Sequence, residues 1–186
     1  PKVKQIIVAS SDKAYGAYAD LPYREETPLK GRYPYDVSKS CADLIAQCYA
    51  GTFNLPVIVA RCSNIFGGGD LNWNRLIPGS IRSVIRGQRP VIRSDGTLLR
   101  DYIYVEDAVE AYIRLAEKFS DDPSLLGEAF NISADQPFSA SDMVDQIIET
   151  LGSNLEPEIL NEAVHEIPEQ YLSSAKLRST TGWFPE

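Results

Sequence analysis

Two short apolar runs constrain this 186-residue chain more than any other feature. They are Gln5-Ile6-Ile7-Val8-Ala9 and Leu55-Pro56-Val57-Ile58-Val59-Ala60. Neither alternates with polar residues, so neither suits a sheet with one wet face. An uninterrupted apolar strand is covered on both sides. Between them the period changes. Cys41, Leu44, Ile45, Cys48 and Tyr49 recur at helical spacing, and Pro34 suits the entry to a helix. The expected helix runs from about Tyr35 to Phe53. Strand, helix, strand with buried strands argues for a parallel α/β sheet. Residues 16 to 34 hold Gly16, Pro22, Pro28, Gly31 and Pro34 and read as a long irregular loop, a kind that usually carries function.

Beyond the second strand, Asn64 to Asp70 reads as a flexible glycine-containing loop, followed by a helix from about Arg75 to Arg86. Pro90 to Ile92 and Asp101 to Val105 read as strands, with a turn at Asp95-Gly96. Glu106 or Asp107 can cap a helix that reaches Phe119. Glu128 to Ile132 is a further strand, and Ser139 or Ser141 starts a helix to Leu151. Trp183 anchors the end of the chain by burial. No repeat or low-complexity segment is visible.

The net charge of −8 is unevenly spread. Residues 61 to 100 carry seven arginines against Asp70 and Asp95, whereas residues 101 to 186 carry four basic and eighteen acidic side chains. That balance makes nucleic acid a poor partner for the whole chain. It leaves room for a small anion in the middle segment, where planar guanidinium forks suit phosphate, with two of the seven expected at a ligand. No apolar run reaches the length of a membrane span, and no leader resembles a signal peptide. The three cysteines, Cys41, Cys48 and Cys62, are odd in number and form no CxxC, so a reducing cytoplasm is expected. The one histidine, His165, lies in an acidic tail and reads as a solvated surface residue, so no metal site is expected. The chain begins without Met and enters a buried strand at once, as if cut from something longer.

The residues that carry chemistry are Ser11, Asp12, Lys13, Tyr35 and Lys39. Tyr35 and Lys39 are four apart at a helix start and share one face. An ammonium beside a phenol favours the phenolate, and the positive end of the helix dipole acts in the same sense, so the phenol can serve as a base. Ser11 sits at the carboxyl end of a strand, where open α/β sheets place ligands. YxxxK alone is a weak signal; its context, after a strand ending in Ser10-Ser11 and on a proline-initiated helix, strengthens it.

Five segments resemble the extended short-chain dehydrogenase/reductase family, in its order and over nearly the whole chain. They are Ser10-Ser11-Asp12-Lys13-Ala14-Tyr15-Gly16, Tyr33-Pro34-Tyr35-Asp36-Val37-Ser38-Lys39, Arg61-Cys62-Ser63-Asn64-Ile65-Phe66-Gly67, Arg100-Asp101-Tyr102-Ile103-Tyr104-Val105-Glu106-Asp107 and Gly182-Trp183-Phe184-Pro185. The resemblance implies an α/β fold. It would be the C-terminal part of a Rossmann-like parallel sheet plus a smaller mixed α/β region that binds a nucleotide-diphosphate sugar. Residues 1–63 would hold the latter part of the Rossmann-like domain. Residues 64–186 would be mainly substrate-binding, with elements returning to the sheet. It implies Tyr35 as base toward the sugar 4-hydroxyl, Lys39 on the nicotinamide ribose, Ser11 completing the triad and Ser10 near NAD. Asn64, Arg75 and Arg100 would meet the nucleotide-sugar, and the protein would be a homodimer.

Asp12-Lys13 bears on the subclass. Epimerases of the family usually carry small uncharged residues there, whereas 4,6-dehydratases carry an acid-containing pair. Loss of water across C5 and C6 needs a base for one proton and an acid for the departing hydroxyl. Asp-Lys, with the Gly67-Gly68-Gly69-Asp70 loop, is closest in motif to CDP-glucose 4,6-dehydratases, although Arg100-Asp101-Tyr102 is the form common to epimerases and other dehydratases. The expected activity is therefore a 4,6-dehydratase, with a 4-epimerase or a non-catalytic nucleotide-sugar-binding fragment as alternatives. The family's glycine-rich phosphate loop is not in this sequence, so the chain alone is expected to hold NAD poorly and to be inactive. It is also expected to expose an apolar sheet edge and face.

Overall fold

A computed structural model describes residues 3–164 and 166–186; the reading of His165 lies outside the described residues. The two apolar runs form parallel neighbours, β1 (Ile6–Ser11) and β2 (Val57–Cys62), in register from Ile6 opposite Val57 to Ser11 opposite Cys62. A later strand, β6 (Ala129–Ile132), adds to the other side of β2, giving the order β1-β2-β6 with β1 at the edge. Every residue of β2 is buried, as an uninterrupted apolar strand requires.

The two faces of β2 are covered by different helices. Val57 and Val59 meet Ala46 and Ala50 of α1 (Pro34–Phe53). Ile58, Ala60 and Cys62 meet Ala108, Ala111, Leu115 and Phe119 of α3 (Val105–Asp121), with Leu177 of α5 (Ala175–Thr181) and Trp183. Trp183 is buried and its indole N–H donates to the Asp107 carbonyl, 3.2 Å away, so the expected anchor is present.

A second group of elements is built around β5 (Leu99–Tyr104). It pairs in parallel with β3 (Asn64–Phe66) and with β9 (Glu169–Gln170), and antiparallel with β7 (Pro137–Ser139). β4 (Val91–Ile92) pairs with β8 (Glu158–Ile159). The helices α2 (Leu76–Ile85) and α4 (Ala140–Thr150) share an apolar seam of Ile77, Met143 and Ile147.

Three local expectations are corrected. Asn64 to Phe66 is a strand rather than loop, because β5 supplies a parallel partner for Asn64, Ile65 and Phe66. The N-cap of α3 is Tyr104; Glu106 and Asp107 fall in its first turn, where they complement the helix dipole. The recurring apolar set of α1 does not face the sheet. Its inner face is Asp36, Ser40, Asp43, Ala46 and Ala50, while Val37, Leu44, Ile45, Tyr49 and Phe53 are exposed. Asp36, Lys39 and Asp43 are the helix's only charged residues, so its outer face carries none. Helix period was legible in the spacing; which side is buried was not.

Candidate active site

The site forms where β1 ends. Ser11, extended at φ −157°, caps a short 3-10 turn, Asp12–Tyr15. Its hydroxyl accepts the Lys13 N–H at 3.3 Å and donates to Asp12 Oδ1 at 2.9 Å. Gly16 closes the turn at φ +74°, where a Cβ would lie 2.1 Å from the Lys30 carbonyl oxygen. The turn thereby projects Asp12 and Lys13 into a cavity of about 750 Å³, which Ser10, Ser11, Tyr35, Ser63 and Asn64 also line.

Burial shifts both members of the pair toward their neutral forms. Asp12 is 2% exposed, and its Oδ2 has no hydrogen-bond partner among the described residues. Desolvation pushes its carboxyl up from the usual range, opposed by the Lys13 charge and the Ser11 hydroxyl. Desolvation pushes the Lys13 amine down, opposed mainly by Asp12. Both shifts favour the neutral forms, an acid and an amine side by side. The Lys13 Nζ donates to Gln170 Oε1 at 2.5 Å, and Gln170 Nε2 donates to the Asp12 carbonyl at 3.2 Å.

The Tyr35 phenol is 57% exposed at the cavity wall. The Lys39 Nζ lies 5.8 Å from its ring centroid and donates to the Ala9 carbonyl at 3.1 Å, so the two side chains share a face at the strand end. Polar contacts fix the helix bearing them at its own N-cap, to the turn after β1 and to β2. Asp36 accepts the Tyr33 N–H at 3.4 Å, and the Ser40 hydroxyl donates to the Ala14 carbonyl at 2.8 Å. Asp43 takes Arg61 in a fork, Nε to Oδ2 at 2.8 Å and Nη2 to Oδ1 at 3.0 Å. Arg61 Nη1 also donates to the Tyr15 hydroxyl at 2.8 Å, and that hydroxyl donates to Asn131 Oδ1 at 2.7 Å.

The other expected site residues divide. Asn64 reaches the cavity while its Nδ2 donates to the Asp101 carbonyl at 3.0 Å. Arg75 is exposed, pairs with Asp70 at 3.0 Å and borders a second cavity of about 540 Å³. Arg100 also borders the second cavity but is largely buried; it donates to the Leu99 and Pro168 carbonyls and to Glu166 at 3.0 Å. Arg93 joins them there. Of the remaining arginines in the basic segment, Arg61 is consumed by Asp43, Arg82 stacks over Trp73 at 5.0 Å and Arg89 holds the Glu156 and Pro157 carbonyls. Gln170 was missed; a lone glutamine 157 residues from Lys13 carries no signal. Ser63 was quoted only as part of a motif. Its buried hydroxyl and that of Ser10 have no hydrogen-bond partner among the described residues.

Ser10 and Ser11 at the end of β1, Lys13 on the turn that follows and Tyr35 on α1 line one cavity at the carboxyl ends of a parallel sheet, the place where Rossmann-like α/β folds set their ligands. The chain belongs to the NAD dependent epimerase/dehydratase family, whose profile residues 2–133 match. A low-salt glycan biosynthesis protein of Haloferax volcanii is 29% identical over 99% of the chain and 57% of its own length. The structure of a dTDP-glucose 4,6-dehydratase from Bacillus anthracis in complex with NAD superposes with a TM-score of 0.88, at 30% identity, over 98% of this chain and 56% of that one. A UDP-glucose 4-epimerase of Thermotoga maritima, solved with UDP-glucose, gives 0.87 at 25% identity, over 99% and 59%. The chain therefore spans somewhat over half the length of these proteins. Among the described residues no helix is long and apolar enough to cross a membrane.

Proposed function

We propose that this chain is the catalytic and substrate-binding part of a cytoplasmic sugar-nucleotide 4,6-dehydratase, which converts an NDP-hexose to its 4-keto-6-deoxy product with NAD. One observation carries the reading. A desolvated carboxyl and a desolvated amine, Asp12 and Lys13, stand together on the cavity wall that Tyr35 also lines. Oxidation at C4 alone has no use for that pair; elimination of water across C5 and C6 needs one acid and one base.

The nicotinamide end of NAD fits the strand ends, where Ser10 and Ser63 offer buried, unpartnered hydroxyls to the cavity. The glycine-rich loop for its pyrophosphate is not in this sequence, so the chain alone is expected to hold NAD poorly and to show no turnover. Held at the strand ends, NAD would supply the hydride acceptor for C4 and the hydride donor for C6. Tyr35 removes the 4-hydroxyl proton as C4 is oxidised, and Lys39 holds the face beside it. With a ketone at C4 the C5 proton becomes acidic. Lys13, whose burial favours the neutral amine, takes that proton, and Asp12 gives its own to the C6 hydroxyl, which leaves as water; as C6 is reduced Lys13 returns its proton to C5, and the proton held by Tyr35 restores Asp12. Asn64, Arg75 and Arg100 meet the nucleotide-diphosphate part of the substrate, with Glu166 displaced from Arg100. The uncharged outer face of α1 supports a homodimer through this helix, because a twofold contact sets the same patch against itself.

The test joins this chain to a glycine-rich NAD-binding half. Tyr35→Phe is expected to lower turnover by about 10²–10⁴. Asp12→Asn is expected to stop water loss while C4 oxidation persists. A 4-epimerase, which the Arg100-Asp101-Tyr102 form also fits, gives a product without the alkaline absorbance of a 4-keto sugar and is indifferent to Asp12→Asn. A protein indifferent to Tyr35→Phe is not an enzyme of this class.

A further inference from the structure

We propose that Gln170 is a positioning residue for the elimination step, holding the Lys13 amine at the cavity wall from a strand that enters the site from the far end of the chain. The proposal rests on the dehydratase reading. β9 pairs with β5 so that Gln170 lies opposite Arg100, and this register delivers the Gln170 side chain under the catalytic turn. Gln170 is fully buried. Both ends of its amide are committed to the turn, Oε1 to the Lys13 Nζ at 2.5 Å and Nε2 to the Asp12 carbonyl at 3.2 Å. A flipped amide would set its NH2 against the lysine donors and its oxygen against a carbonyl, so the two contacts fix each other's orientation. Lysine on a turn otherwise has a flexible four-carbon stem and many rotamers.

The chemistry at position 170 matters as much as the reach. A neutral amide accepts the amine's hydrogen bond without adding a charge that would keep the amine protonated. The charged groups that face Lys13 are Asp12 on its own turn, Arg100 on β5, Glu166 just before β9 and Asp36 on α1. Glu166, Asp36 and an ionised Asp12 favour the ammonium; burial, the largest influence, and Arg100 oppose it, and the balance lowers the lysine pKa. A glutamate at 170 would add a further carboxylate at hydrogen-bond distance from the amine. Gln170 thus keeps Lys13 both in place and available as a base.

The experiment has two arms. The first titrates the Lys13 Nζ by NMR in the 15N-lysine-labelled chain, with the resonance assigned by Lys13→Arg. Gln170→Glu is expected to raise the Lys13 pKa by about 1–3 units, the effect of an adjacent opposite charge. A pKa unmoved in a variant that still unfolds cooperatively overturns the proposal, whatever the protein catalyses. The second arm uses the protein with its NAD-binding half and follows water loss and C4 oxidation separately against pH. Gln170→Glu is expected to move the acid limb of water loss upward and leave C4 oxidation in place. Should the glutamate prevent folding, Gln170→Asn, one methylene shorter and still neutral, is expected to lower kcat for water loss at least tenfold with KM unchanged. Water loss within twofold of the parent overturns the proposal. A Lys13 shift without any 4-keto-6-deoxy product overturns the dehydratase reading and the elimination role with it, and leaves only a lysine-holding contact.

Discussion

Removing the Asp43 carboxylate should unfold this protein more readily than any surface change. Asp43 is fully buried, Arg61 is 3% exposed, and the pair makes two short bonds. Asp43→Ala leaves the guanidinium with only the Tyr15 hydroxyl at 2.8 Å and the Glu25 carbonyl at 3.1 Å, and strips Gln47 of its acceptor. Breaking a buried pair on one side costs about 3–5 kcal/mol, because an uncompensated charge stays behind. At about 2–4 °C per kcal/mol for a chain of this size, Tm should fall by roughly 6–20 °C. Replacing both partners by apolar residues, Asp43→Leu with Arg61→Met, should cost less than Asp43→Ala alone, since no charge is then stranded. Urea titrations followed by circular dichroism read both. A loss under about 1 kcal/mol for Asp43→Ala, or a double variant as unstable as the sum of its parts, would refute the assignment of the Asp43–Arg61 fork as a desolvated, mutually dependent pair.

Asp101 gives a pH prediction. Burial pushes its carboxyl up to about 6 against an ordinary 3.8, with a Ser133 hydroxyl contact opposing the shift. The folded state therefore holds the proton more tightly, so the group's contribution to stability is complete below pH 3.8 and is lost as pH rises through 6. Asp101→Asn should lack that loss, and its stability relative to the parent should rise by about 2–3 kcal/mol between pH 4 and 7 in urea midpoints; a constant difference over that range would contradict it. Gly16→Ala should cost at least about 1–3 kcal/mol, because a Cβ would meet the Lys30 carbonyl at 2.1 Å and φ is +74°; equal thermal stability would show that the turn can shift.

What the sequence discloses follows the range of the forces. β1, β2 and α1 are visible because apolar period and a proline are local signals, and the Tyr35–Lys39 pair is visible because four residues make one helical turn. β7, β8 and β9 are two or three residues long, and pairing rather than composition defines them. Arg61 counted only as one of seven arginines in a basic segment, because the sequence cannot show Asp43 waiting eighteen residues earlier. Arg100 likewise read as free for phosphate, whereas β5 and the segment before β9 already engage it through two carbonyls and Glu166. Asp12 and Lys13 could be singled out, but not their burial, which comes from Gln170 and the far end of the chain.

The inverted polarity of α1 has a consequence for how the chain reaches its native state. Turned half a revolution about its axis, the helix would set Ile45 and Tyr49 against β2 in place of Ala46 and Asp43, and would bury more oil. Apolar attraction alone thus prefers the wrong rotation, and the directional bonds of Ser40 to the Ala14 carbonyl and of Asp43 to Arg61 select the right one. A surface that covered Leu44 and Ile45 would act on folding as well as on assembly, because once those side chains were engaged the misrotated helix would have nothing left to gain.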